Sequence, residues 1–353
     1  MTPSPHIPEF DVSRPGSLIA ALPAVLGFVP EQSLVLVSIE DGHLGCVMRL
    51  DLSLMMTDAV DELAEVAAAS QPDGAIAVIV NEDGADCQHC CDIHAEMADT
   101  VEDALSLHGI ELIAAYVVDR VAAGGRWHCA YGCAKRGVIE DPSASPLAVA
   151  AVLDGRRLYR RRADLAQIVE PDESRGERMR AVIAGLPTPP PARRRAEVRA
   201  DIESALSSAA ELADGRCPAD EQLARLAVAL TDPQVRDTLY ALAVGERAGQ
   251  AESLWVELSR ALPPPWRAEA LVLLAFSAYV RGDGPLAGIS LDAALRCVPD
   301  HRMAGMLDRA LRSGMRPDQI RELALSGYRQ ADRLGVRLPP RQTFGGEARK
   351  AGA

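Results

Sequence analysis

Five cysteines carry the densest chemistry in this chain. Cys87, Cys90 and Cys91 form a Cys-x-x-Cys with one further thiol, and His89 and His94 lie beside them. Cys129 and Cys133 make a second pair, with three residues between them, directly after His128. Two thiolate pairs on loops at neighbouring strand ends are the ligand set of a structural zinc ion. Cys87, Cys90, Cys129 and Cys133 are therefore the expected metal ligands and zinc the expected cofactor, with the histidines as alternative ligands. The same spacings fit a redox pair, and unliganded thiols are the third reading. Catalytic zinc is not expected, because neither His-Glu-x-x-His nor His-x-Glu with Cys-x-x-Cys occurs. Neighbours on a strand point to opposite faces, so His128 is poorly placed to activate Cys129. Cys46, Cys217 and Cys297 sit in apolar contexts and read as core thiols.

A second constellation is Arg49 with Asp51. Period two puts both on one face of a strand, either as an ion pair at a pocket or as a surface pair. The acidic groups Glu82, Asp83 and Asp86, and Asp99, Glu102 and Asp103, read as solvated faces. Common machinery is missing: there is no Gly-x-x-x-x-Gly-Lys-Ser/Thr, no Gly-x-Gly-x-x-Gly after a strand and no Gly-x-Ser-x-Gly elbow.

The elements that must position these residues follow from periodicity. Residues 17–26 predict a helix, with Pro23 bending or ending it. Residues 33–40 and 43–52 are β-rich runs around Asp41-Gly42, a hairpin pattern. Helical spacing over 56–70 and 92–108 alternates with buried strands at 74–82 and 110–119, and a shorter strand at 126–131 pairs beside the last. Apolar strands separated by helices predict an α/β domain with a mixed sheet over residues 15–155. Residues 146–153 predict a short helix.

Charge marks the boundary. Residues 1–155 carry 24 acids against six bases, a net of −18, and the remainder carries 26 acids and 31 bases, a net of +5. A domain this acidic repels a polyanion, so nucleic acid is disfavoured as its partner. Aromatic residues make up only 4% of the chain, which argues against a base-stacking surface. Residues 156–195, with Arg160 to Arg162, the proline run at 187–191 and Arg193 to Arg195, read as an Arg- and Pro-rich connector. From 196 to 330 a helical period broken by Pro and Gly predicts an all-α domain of helical hairpins. One segment, 268–301, has Leu271, Leu274, Ala275, Ala287, Leu291, Ala294 and Pro299 where a tetratricopeptide repeat would have them. Residues 1–14 are a polar lead-in, and 331–353 a flexible tail.

No stretch holds the roughly 18 unbroken apolar residues of a membrane span. The opening residues lack the basic and apolar regions of a secretory signal. The cytoplasm is the expected compartment, with reduced cysteines.

The residues 18–52, LIAALPAVLGFVPEQSLVLVSIEDGHLGCVMRLDL, resemble the opening of the bacterial family named domain of unknown function 4192. The shared positions are Gly27, Phe28, Pro30, Glu31, Ser33, Leu34, Val35, Arg49, Asp51 and Leu52. Residues 262–311 are similar to the family's tail, so the resemblance spans roughly 15–325. It implies a family from high-GC bacteria, in keeping with 35 arginines against two lysines, and it implies no activity. The family's central Cys-Cys-Pro cluster is absent here, where Trp127, His128, Cys129 and Cys133 stand.

The leading expectation is a non-enzymatic interaction or scaffold protein that holds a protein partner through its helical half. One alternative is an enzyme with its site at the strand ends near Arg49, Asp51 and the cysteines. The other is nucleic-acid contact through the Arg-rich connector.

Overall fold

The computed structural model describes residues 14–54, 57–83, 88–153, 157–187 and 193–342. Cys87, nearly all of the expected lead-in and residues 343–353 of the expected tail lie outside them. The chain divides into two compact units, one running to Leu165 with Arg312–Gly314, the other holding the rest.

The first unit is α/β. Helix α1 (Pro15–Leu26) carries Pro23 inside it and closes on Gly27, whose φ of 75° suits a residue without Cβ. Strands β1 (Ser33–Glu40) and β2 (His43–Asp51) form the expected hairpin, with Asp41 and Gly42 both at positive φ. Then come α2 (Thr57–Ala68), β3 (Gly74–Val80), α3 (Gln88–Ser106), β4 (Leu112–Val118), β5 (Arg126–Cys129), β6 (Arg136–Val138) and α4 (Pro146–Leu153). The sheet order is β2-β1-β3-β4-β5-β6; β3 and β4 run parallel and every other neighbouring pair antiparallel, as the mixed-sheet reading expects. β6 is too short, at three residues, to stand out in the sequence.

Register assigns the two faces. Leu34 pairs with Ile79, Ile79 with Val117, and Val117 with His128, so these share a face. Leu34, Ile79 and Val117 pack in one apolar cluster with Val60 and Ala64 of α2 and Ala98, Val101 and Leu105 of α3. The opposite face carries Val35, Val78, Tyr116 and Cys129 in another row. Tyr116 and Trp127 meet there edge to face, with ring centroids 5.2 Å apart.

Helix α5 (Arg162–Ala166) lies where the units divide. The second unit is helical: α6 (Glu173–Ala184), α7 (Arg195–Ala213), α8 (Asp220–Ala229), α9 (Pro233–Leu239), α10 (Ala248–Ala261), α11 (Trp266–Val280), α12 (Gly284–Cys297), α13 (Arg302–Arg312) and α14 (Pro317–Leu334). The segment read as a connector is not a plain linker. Asp172 caps α6 by accepting from the Arg175 N–H, and Met179 and Ile183 are buried. Helices α11 and α12 form the hairpin expected over 268–301. In α11 every residue from Arg267 to Val280 except Glu269 is buried, so that hairpin is the core of the unit, not its surface. Among the described residues no helix is long and apolar enough to cross a membrane.

Candidate functional site

Three places bring polar side chains together. The first is the turn between β5 and β6. The Gly132 N–H donates to the Cys129 carbonyl (3.2 Å) and the Cys129 N–H to the Lys135 carbonyl (3.0 Å), while Gly132 takes a φ of 70°. This closes the chain tightly on itself, and the Cys129 and Cys133 thiols meet in a hydrogen bond. Cys133 is exposed and Cys129 half-buried, and both are free thiols. The bond from Cys129 lowers the pKa of Cys133, and the Lys135 backbone N–H lowers it further. Cys46 is the contrast: burial and then the nearby Glu40 push its thiol up to about 11.

Of the expected metal ligands, the structure thus brings Cys129 and Cys133 together. Cys90 stands in the first turn of α3, on the helix that covers the face opposite the Cys129 side chain. Among the described residues, no three His, Cys, Asp or Glu side chains gather as a metal site. His128 shares the α3 face with Val117, so it points away from the Cys129 thiol; its Nδ1 lies 3.0 Å from the Cys129 carbonyl oxygen.

The second place is the sheet end where β1 begins and β2, β3 and β4 finish. Arg49 and Asp51 do pair, at 3.1 Å. The Arg49 side chain is only 17% exposed against 40% for Asp51, and it also donates to the Glu31 carbonyl at 3.2 Å. Its Nε and the Oγ of Ser33 are buried with no hydrogen-bond partner among the described residues. Ser33 pairs with Asp51 and Val35 with Arg49, so the two groups are diagonal neighbours on one face. Gln32, at φ 43°, shapes the entry to β1. On the opposite face His94 is buried, at 1% exposure. Asn81 accepts the Asp83 N–H (3.2 Å) at its carbonyl oxygen, which turns its amide nitrogen onto His94 Nε2 at 3.0 Å. Nε2 therefore accepts, and the ring hydrogen sits on Nδ1, buried without a partner among the described residues. Burial, then the nearby His128, hold the His94 pKa below the ordinary histidine value. No spacing in the sequence points to the Asn81–His94 contact, since it joins a strand end to a helix across a loop.

The third place is a groove in the helical unit, of about 270 Å³. The chain after α14 turns back along the start of α10, with the Glu246 N–H donating to the Pro340 carbonyl (2.8 Å) and the Gln342 N–H to the Val244 carbonyl (2.9 Å). The Tyr328 hydroxyl ties the same strap at the Pro339 carbonyl, 2.9 Å away. Leu206 and Ala209 of α7, with Leu242 and Ala251, line the apolar side; Glu246, Arg247, Gln250 and Arg337 line the polar side. Both arginines are exposed, and among the described residues neither makes an ion pair. Elsewhere in this unit arginines are spent on structure: Arg175 pairs with Asp220 (2.9 Å) and Glu257 (2.5 Å), and Arg193 with Asp201 (2.5 Å) and Asp232 (3.2 Å).

A family model described as domain of unknown function (DUF4192) matches residues 15–318, and the chain belongs to that family. Neither curated proteins nor solved structures give a match.

Proposed function

We propose that this member of the family is a binding protein, and that the groove of its helical unit holds an acidic segment of a partner protein. The observation that carries this is the pairing of an apolar floor with Arg247 and Arg337, two exposed guanidiniums at a groove's edge with no carboxylate partner among the described residues. Arginine suits that task because its planar fork meets a carboxylate with two parallel hydrogen bonds. Leu206, Leu242 and Ala251 offer an apolar side chain of the partner a place out of water. The volume fits one or two side chains of a peptide better than a drug-sized ligand. The expectation of partner capture thus moves from the buried hairpin α11–α12 to the groove between α7, α10 and the strap. The test is fluorescence anisotropy on the full chain with leucine-containing acidic peptides, and with the same peptides carrying Lys for Glu. The acidic set should bind, and the double variant Arg247→Glu, Arg337→Glu should weaken it at least about tenfold, or 1.4 kcal/mol. Equal binding of both sets, or an unaffected variant, removes the reading.

An enzyme with its site at the strand ends is the second reading. It is favoured by the buried, unpartnered Ser33 Oγ and Arg49 Nε, since unsatisfied buried polar atoms cluster at functional sites. A screen of small anions by thermal shift tests it. A hit that disappears in Arg49→Gln supports it, and a hit that survives the substitution discards it.

A further inference from the structure

We infer that Cys129 and Cys133 form a reversible intramolecular disulfide, making the β5–β6 turn a peroxide-sensitive modification site. A disulfide needs two Cα atoms within about 7 Å and thiols that already face each other. The hydrogen bond from the Gly132 N–H to the Cys129 carbonyl makes residues 129–132 a tight turn, which fixes its ends within about 7 Å, and Cys133 is the next residue. The turn sets the Cys133 thiol within hydrogen-bonding reach of Cys129, and the backbone bonds that close it leave the β5–β6 pairing in place. Cys133 is exposed to an oxidant in solution, and Cys129 waits half-buried behind it, the arrangement of an attacked and a resolving thiol.

The other described cysteines are placed differently. Cys46 is half-buried in β2 beside Glu40. Cys90 and Cys91 are adjacent on a helix, so their side chains diverge by about 100°. Cys217 and Cys297 belong to the helical unit, where Cys217 lies 3.5 Å from Glu257 and Cys297 3.6 Å from Arg267.

With hydrogen peroxide as oxidant the chemistry balances in two steps. Cys133 sulfur attacks one peroxide oxygen, the O–O bond breaks, and sulfenic acid and one water form. Cys129 sulfur then attacks the sulfenic sulfur, the S–O bond breaks, the thiol proton leaves with the oxygen as a second water, and the S–S bond forms. Two thiols are oxidised and one peroxide is reduced to two waters. A dithiol reductant reverses the outcome by thiol–disulfide exchange.

The sequence offers a direct test on the full chain. Trypsin cuts after Arg126 and Lys135, so Trp127–Lys135 carries both thiols in one peptide. Reduced protein is desalted, exposed to about one equivalent of peroxide, alkylated and digested, with and without prior treatment with a chelator. The expected product is this peptide, two hydrogens lighter and unalkylated, restored by dithiothreitol. In Cys129→Ser the same exposure should leave Cys133 as a sulfenic acid that dimedone traps. If both thiols stay alkylable while Cys217 or Cys297 is oxidised, or if only interchain disulfides form, the inference is overturned. It is equally overturned if the pair resists peroxide until the chelator is added, which would make these thiols metal ligands.

Discussion

The two units handle charged side chains in opposite ways. In the α/β unit acids outnumber bases about twofold, and most of its ion pairs lie toward solvent: Arg14–Glu140 is 65% exposed on both sides and Arg49–Asp51 has an exposed carboxylate, with Asp119, buried beside Arg120 and Arg126, set apart from them. In the helical unit the charges are drawn inward, and Arg175, Arg193, Arg236 and Arg281 each meet one or two carboxylates with little exposure. The α/β unit stands on its apolar sheet, and its polar groups collect at turns and strand ends. The helical unit stands on alanine-rich packing in which several arginines bridge half-buried carboxylates, while others lie exposed without an ion pair among the described residues. Arg247 and Arg337 are set apart from the other exposed arginines by their place at the groove, beside its apolar lining.

The largest effect should come from the helical core. Phe276 is 1% exposed and packs against Tyr240 in a tilted ring pair, with centroids 4.7 Å apart. Phe276→Ala should cost about 3–5 kcal/mol, read as a fall in the denaturation midpoint, because the cavity cannot close among rigid helices. Next comes a matched pair of arginines. Arg175→Ala strips two carboxylates that stay largely out of water, at 34% and 22% exposure, and should cost about 2–3 kcal/mol. Arg49→Ala leaves Asp51 free to take up water and removes a buried Nε that has no partner, so its cost should stay below about 1 kcal/mol. Equal losses in the two variants would erase the contrast.

A smaller effect sharpens the comparison through pH. His94 is held neutral in the folded chain, with its pKa below that of the unfolded chain near 6.5. Below about pH 6.5 the unfolded state takes up a proton that the folded state refuses. Stability from this residue is therefore complete above that pH and lost as pH falls toward the folded pKa, by at most about 1.4 kcal/mol per pH unit. Denaturant titrations of the wild type and His94→Gln between pH 7.5 and 5 should show a shallower slope in the variant. Parallel slopes would mean that His94 ionises as freely folded as unfolded.

Much of the frame was legible before the structure. Asp41-Gly42 between two β-rich runs announces the hairpin, since few residue pairs accept two positive φ values. The 3.6-residue period and the proline breaks announce the helices. The division at 165 was blurred because arginine and proline composition resembles a linker, whereas helix α6 holds itself by Asp172 and by burying Met179 and Ile183. Of the candidate sites, the pairing of Cys129 with Cys133 was legible from spacing, but the turn that brings them together was not, since 126–131 reads as a strand and β5 ends at Cys129. The strap over α10 was not: it depends on backbone bonds between positions almost a hundred residues apart, and Pro339-Pro340 reads locally as unstructured. Unpartnered buried atoms also needed coordinates, and they are not confined to the strand ends, since Tyr240 Oη, Trp255 Nε1 and Ser290 Oγ share that condition in the helical core.

The smallest expected effects have opposite signs in the two units. Gly42 sits at φ 75° in the β1–β2 turn with nothing within 4 Å of an added Cβ, so the only obstacle to alanine there is the backbone itself. A left-handed alanine costs about 1 kcal/mol or slightly more, and Gly42→Ala should destabilise by that amount. Gly288 lies inside α12, where an added Cβ would meet Leu311 at 3.6 Å, an ordinary contact. There alanine removes backbone freedom from the unfolded chain and adds a little packing, so Gly288→Ala should stabilise by about 0.5–1 kcal/mol. If both substitutions destabilise, the α12–Leu311 contact is tighter than its geometry indicates. If both stabilise, the hairpin tolerates another turn type, and the tight β1–β2 turn no longer sets the register that aligns Arg49 with Val35 and Asp51 with Ser33.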